Sequence, residues 1–265
     1  MKKPVVNLRL LIQRNFAAGV VGQIFVGFAL FGSVYILPQY LGQVQRYNAE
    51  QIGEVLAWTG LPQLILIPLV PVLMKRFDIR HVTAIGILLF AASCFVNLTL
   101  SFDDAGDQFL VPNILRAIGQ AIVITPLSAI TTGMIAPKDA GAASGLSNML
   151  RNLGGAIGTA TLQTIITKRE QYHSNIIGHS VTIYSEATRD RVAQLTNYFL
   201  SHGVSDTAAA QQKAVVALGN AVHRQALVMG FSDAFGVIGV VLLLAAVAVL
   251  FARRVRPGAQ ASGAH

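Results

Sequence analysis

Residues 15–45, NFAAGVVGQIFVGFALFGSVYILPQYLGQVQ, hold no Asp, Glu, Lys or Arg, and neither do residues 55–74 or 81–102. About 20 apolar residues in a helix cross the hydrocarbon core of a bilayer, so each interval is long enough to span one. Three more apolar intervals, 108–137, 140–167 and 225–252, carry one charge each: Arg116, Arg151 and Asp233. Over the 265 residues, 53% are hydrophobic and 12% charged, where a soluble domain carries roughly a quarter charged. The pattern predicts an all-α integral membrane protein, a bundle of six transmembrane helices at about 16–40, 53–74, 81–101, 108–135, 140–167 and 225–252. Pro62, Pro68 and Pro71 all fall in the second of these. Membrane helices accept proline because neighbours satisfy the carbonyls it frees.

The remaining charges give the orientation. Lys2, Lys3, Arg9 and Arg14 precede the first span, Lys75, Arg76 and Arg80 join the second to the third, and Arg253, Arg254 and Arg256 follow the sixth. The short links on the other side offer only Arg46, against Glu50, Asp103, Asp104 and Asp107. Short cytoplasmic loops concentrate Lys and Arg, so both termini are expected inside the cell, with a lead-in at 1–15 and a tail at 253–265. The polar stretch 168–224 is then a long extracytoplasmic loop with short helices. Val192, Leu195, Phe199 and Leu200 share one helical face, and Ser205 or Asp206 is placed to cap a second, alanine-rich helix ending near Val222. The formal charge of +8 does not point to nucleic acid, because the bases flank apolar spans instead of lining a face interleaved with aromatics.

No catalytic motif is present: there is no Gly-x-Ser-x-Gly, no phosphate-binding Gly-Lys-Ser/Thr and no His-Glu-x-x-His. Cys94 stands alone, and His81, His173, His179, His202, His223 and His265 lack ligand spacing, so they read as solvated loop side chains and no metal or cofactor is expected.

The informative residues are polar groups at membrane depth, where a charge costs about 2.5–3.5 kcal/mol on insertion scales and so faces a cavity or a partner. In the fourth helix Arg116, Gln120, Thr125, Ser128 and Thr132 recur at spacings that suggest one cavity-facing polar stripe. The alternative for Arg116 is a structural arginine bound to backbone carbonyls. The fifth helix carries Asn148, Arg151, Asn152 and Gln163 together with Gly141, Gly145, Gly154, Gly155 and Gly158. The pairs Gly141/Gly145 and Gly154/Gly158 are spaced for close helix packing, and Arg151 suits either an interhelix bond or a substrate contact. Glu54 and Asp233 are the candidates for proton exchange, since a carboxyl in low dielectric holds its proton more tightly. Arg116 and Asp233 lie at similar depth and are expected to face the same interior, Asp233 as counter-charge or proton site. Pairing with an arginine would instead keep Asp233 ionised and structural.

Arg116-Ala-Ile-Gly119 with Pro126 resembles the Arg-x-x-x-Gly pattern in the fourth helix of a major facilitator half. The run 74–80, with Asp78 and Arg80, is similar to a worn form of the loop signature between the second and third helices. Ala143-Ser144-Gly145-Leu146, Asn148, Arg151-Asn152-Leu153-Gly154-Gly155 and Gly158 resemble the penultimate helix of the fourteen-helix drug:proton antiporters of the EmrB/QacA type. A large outer loop and Asp233-Ala-Phe235 in the last helix fit the same family.

The resemblance implies the C-terminal half of a proton-coupled multidrug exporter in a bacterial inner membrane. It implies small hydrophobic, drug-like substrates and a central cavity shared with an N-terminal half of six to eight helices. That half would come from a longer chain, with Met1 internal to it, or from a separate one. In some relatives a periplasmic adaptor and an outer-membrane channel take part. The cavity wall would then include Arg116, Gln120, Thr125, Ser128, Asn148 and Arg151. The rival reading is a non-transporting, truncated or split membrane scaffold that pairs with another helical bundle. Neither reading is an enzyme.

Overall fold

The computed structural model describes residues 12–252, apart from 102, 103, 105, 134 and 183 and the side chain of Arg14. The expected lead-in up to residue 11, with Lys2, Lys3 and Arg9, lies outside the described residues, as do Asp103 and the tail 253–265 with Arg253, Arg254, Arg256 and His265.

Among the described residues seven α-helices account for the architecture: α1 Arg14–Gln43, α2 Ala49–Arg76, α3 Ile79–Val96, α4 Leu110–Thr132, α5 Ala140–Ser180, α6 Glu186–Ser201 and α7 Thr207–Leu250. Local chemistry sets several of these ends. Asn48 and Gln51 form a reciprocal capping box at the start of α2, Asp78 accepts from the Arg80 N–H at the start of α3, and Asp206 accepts from the Ala208 and Ala209 N–H groups at the start of α7. Pro38, Pro62, Pro68, Pro71 and Pro126 all sit inside helices.

Among the described residues five helical stretches are long and apolar enough to cross a membrane: Asn15–Gln43, Ala49–Arg76, Ile79–Thr99, Gly106–Thr132 and Thr207–Leu250. α5 is long enough at 41 residues but too polar to join them by composition. At 1.5 Å per residue α5 and α7 are about 60 and 66 Å long, roughly twice the hydrocarbon thickness.

α1 lies at the centre, against α4, α5 and α7, while α3 packs on α4 and α7, α2 on α4, and α6 on α7. Tyr40, Phe109 and Phe231 bring α1, the turn before α4 and α7 together through edge-to-face rings 5.5 and 5.7 Å apart. The α3–α4 crossing depends on Gly119, where an added Cβ would sit 2.6 Å from the Phe90 nitrogen. Arg80 Nη1 donates to the Ala252 carbonyl at 3.0 Å, so the start of α3 and the end of α7 meet at one end of the bundle.

The region expected to be a loop with separate short helices is built differently. α5 continues to Ser180, and the helix capped by Asp206 runs on to Leu250 with no end near Val222. The reason is local: 207–250 holds no proline, and Gly219 alone does not end an alanine-rich helix. α6 alone is a short separate helix in this region.

Candidate functional site

Arg116 and Gln120 are enclosed between α1, α2 and α4. Arg116 is 4% exposed. Its Nη2 donates to Thr59 Oγ1 at 2.7 Å, and its Nη1 reaches the Ser33 carbonyl at 3.4 Å. Gln63 Nε2 donates to the Thr59 carbonyl at 2.8 Å and to Gln120 Oε1 at 3.0 Å, and Asn113 Nδ2 donates to the Val55 carbonyl at 2.9 Å. The guanidinium therefore bridges three helices through oxygen acceptors, and among the described residues no carboxylate forms an ion pair with it. Arg116 Nε and Gln120 Nε2 are buried without a hydrogen-bond partner. Two buried donors left over is an unfavourable arrangement, and an acceptor of any kind beside them would relieve it.

The polar residues of α4 do not form the single stripe expected. At about 100° per residue Gln120 falls some 40° from Arg116, whereas Thr125, Ser128 and Thr132 fall roughly 120–180° away from it. Thr125 is exposed. Ser128 Oγ lies 3.5 Å from Gln23 Nε2 of α1, and Thr132 returns its hydroxyl to the Ser128 carbonyl at 2.9 Å. Thr59, Gln63 and Ser33 were not singled out from sequence. Their only sequence signal is polar residues four apart, Thr59 and Gln63, in an otherwise greasy second helix.

Asp233 does not meet Arg116. Its Oδ2 accepts from Arg169 Nε at 2.6 Å and contacts His173 Nε2 at 2.7 Å, both from α5. Arg169 also stacks on Tyr172 at 5.0 Å, and one residue on from Arg169, Glu170 holds His223 of α7 at 2.7 Å. Asp233 faces α5 and Arg116 faces α2, so direct pairing of the two is ruled out by the helix each looks toward. His173 is buried and bound, not a solvated loop residue. The overlooked signal was Arg169-x-x-x-His173, one helical turn apart, hidden by ending the fifth helix at 167. Glu54 is exposed at the α6 end of α2, in a cavity of about 320 Å³ with Tyr47, Trp58 and Asp107.

Residues 2–170 match the Major Facilitator Superfamily. The chain belongs to that superfamily. Its relatives include the colistin resistance protein EmrB of Acinetobacter baumannii, 29% identical over 95% of this chain and 48% of its own length. The multidrug export protein EmrB of Escherichia coli K12 is 28% identical over 94% of this chain and 47% of its own length. The fatty acid resistance protein FarB of Neisseria gonorrhoeae is 26% identical over 88% and 44%. The chain thus spans about half the length of the curated relatives it matches. It is a multi-pass membrane protein of a transporter family, with an EmrB-type sequence and no kinship to enzymes among these relatives.

In this major facilitator chain α5 carries its polar and small residues on two distinct faces. Gly154 lies against the Ile24 backbone, Gly155 against the Phe31 ring and Gly158 against the Phe28 backbone, so α1 and α5 approach closely along these positions. Gly27 of α1 answers from the other side, against the Arg151 backbone. Gly145, expected to pack in the same way, faces open space: no atom lies within 4 Å of where its Cβ would be, and the same holds for Gly141. Four residues from Gly141 to Gly145 keep the pair on one face, but that face turns away from α1. Asn148 and Asn152 are exposed there too, and Gln163, also exposed, reaches back to α1. Arg151 Nη2 donates to Asn148 Oδ1 at 2.9 Å, and Gln163 Oε1 accepts from Tyr35 at 2.6 Å.

Proposed function

We propose that this chain is the C-terminal half of a proton-coupled multidrug exporter, with α5 as a sixth membrane crossing and both termini on the cytoplasmic side. The observation that carries the reading is the uncovered face of α5. Gly141, Gly145, Asn148, Asn152 and Gln163 are exposed on a helix too polar to be solvated by lipid chains, and a second bundle would cover them. Relatives twice as long supply such a bundle. On this reading Asn148, Arg151 and Thr125 line a central cavity for small hydrophobic compounds, while Arg116, Gln120 and Ser128 form the polar packing behind it. Asp233 is a candidate for proton exchange only in a state that opens its contact with Arg169, since that arginine otherwise keeps it ionised; its neighbour His173 offers a second protonatable group at hydrogen-bond distance. Glu54 stands at the mouth as the other candidate. Resistance to colistin or fatty acids, in the names of relatives, is a guide to which cargo to try first, and a periplasmic adaptor is a partner to look for.

The test is efflux of a fluorescent lipophilic dye from cells making this chain alone, or joined to the N-terminal half of the Escherichia coli EmrB relative. Efflux is expected from the joined protein only. Full efflux from the chain alone overturns the half-transporter reading. No efflux from a joined protein that reaches the membrane folded would favour the scaffold.

A further inference from the structure

Gln51, Glu54, Val55 and Trp58 recur along α2 at the spacing of one helical face. At the α6 end of the bundle that face closes the cavity of about 320 Å³ together with Tyr47, Gly106 and Asp107. Three separate pieces of chain therefore build it. Arg46, in the link between α1 and α2, takes a left-handed backbone with φ 59°, uncommon for a side chain of its size. The next residue, Tyr47, returns its N–H to the Leu41 carbonyl at 3.1 Å. The Tyr47 hydroxyl accepts from the Gly106 N–H at 3.0 Å, which ties this link to the turn before α4. A Cβ on Gly106 would sit 3.2 Å from Val55 Cγ2, so that turn lies directly on α2. Val55 is buried, as a floor, while Glu54, Trp58 and Asp107 are exposed, as a rim. Among the described residues neither Glu54 nor Asp107 takes part in an ion pair.

We infer that this cavity binds an organic ammonium ion, its positive nitrogen between Glu54 and Asp107 and its hydrocarbon body against Trp58, Tyr47 and Val55. The combination of side chains selects that ligand. Two carboxylates in one lining repel each other, and a cation shared between them relieves the repulsion. Aromatic rings attract a cation through their faces, tryptophan most strongly, and they add apolar surface for the groups bonded to the nitrogen. A bare metal ion needs several oxygen ligands at short, fixed distances, and among the described residues no group of three or more metal-binding side chains is present. The volume of about 320 Å³ suits a substituted amine and is far larger than a single ion needs. Gln51 is engaged elsewhere, since its side chain closes the capping box with Asn48. Recognition therefore falls to the two acids and the two rings. The inference concerns the mouth of the bundle and not a central cavity, and it does not depend on the chain's being half of an exporter.

Trp58 is the chain's sole tryptophan, so its emission reports on this cavity without a label. The experiment titrates the purified chain, in an uncharged detergent, with benzyltrimethylammonium. A saturable change in Trp58 emission is expected, whereas benzyl alcohol, which has the ring without the charge, should give none. Glu54→Gln and Asp107→Asn should each weaken binding about threefold, and together about tenfold, as exposed carboxylates beside a cation do. Glu50→Gln, in the first turn of α2 and outside the cavity, should change nothing. Circular dichroism checks that each variant is folded, and either single variant carries the test if the double lowers yield. Undiminished binding in the folded variants of Glu54 and Asp107 overturns the site. A response to benzyl alcohol equal to that of the cation overturns the charge recognition. A response to added phosphatidylethanolamine with none to benzyltrimethylammonium overturns the free ion as ligand, since the acids would then hold a lipid headgroup.

Discussion

α5 and α7 are of nearly equal length, run side by side, and solve opposite problems. α7 is apolar, touches α1, α3, α5 and α6, and buries Phe231, Phe235, Ile238 and Leu242 completely. α5 is studded with glycine and amide side chains and is held on α1 and α7, leaving its other face exposed. α7 is placed by burial of large side chains, which is non-directional and tolerant. α5 is placed by backbone approach, which requires the absence of side chains at chosen positions. A central helix can therefore be recognised by what it contains, and an edge helix of this kind by what it lacks.

The comparison is broken most severely at the α1–α5 contact. Gly154→Leu or Gly158→Leu would drive four side-chain carbons into the backbones of Ile24 or Phe28. Overpacking at a site without rotamer escape should cost about 3 kcal/mol or more, read as lost folded yield and a lower unfolding midpoint in detergent. Gly145→Leu, which meets nothing within 4 Å, should lower neither in the isolated chain and raise the midpoint slightly through its better helix propensity. Equal losses at all three positions would show that α5 is not packed by one face.

A smaller effect is expected where α5 and α7 exchange charge. Asp233→Asn removes the carboxylate shared by Arg169 and His173, but the Arg169 side chain is 43% exposed and water can take over much of its solvation. A loss of about 1 kcal/mol is expected, with Arg169→Gln in addition changing little more because the partner is already gone. In a reassembled exporter the same Asp233→Asn should reduce proton-linked efflux far beyond its reduction of membrane abundance. Parallel loss of abundance and efflux would leave the residue with a structural role alone.

How much of this was legible beforehand differs by region. The uncharged runs marked α1, α2 and α3 within a few residues, because a bilayer span needs length and apolarity and both are local properties. The helix at 140–167 was legible through its single charge, and the packing glycines of α5 only through their spacing. Which glycines would touch another helix was not, since Gly145 and Gly154 look alike until α1 is in place. The partner of Asp233 was missed because Arg169 and His173 lie beyond the point where hydropathy falls, and hydropathy cannot distinguish a helix that ends from one that continues into water. Arg116 is the converse case: its bonds to Ser33 and Thr59 realise the carbonyl-bound alternative in part, a choice composition leaves open.

The smallest effect sharpens the comparison from the other side. Gly145→Ala should stabilise the isolated chain by up to about 1 kcal/mol, because alanine restricts the unfolded chain and favours helix. Joined to an N-terminal half, the same methyl should lose that advantage. A gain in both settings would show that no second bundle approaches α5 at this position.

The unbroken course of α7 also has a mechanical meaning. With no proline from Thr207 to Leu250, the stretch between His223 and Thr207 is a stiff arm of about 24 Å at 1.5 Å per residue. Pivoted where Asp233 and His223 grip α5, a tilt of about 10° carries the Thr207 end through roughly 4 Å by the same geometry. α6 rides on that arm. Any tilt of α7 is thereby enlarged at its Thr207 end, and a load applied to α6 returns to the α5–α7 contact through the same lever.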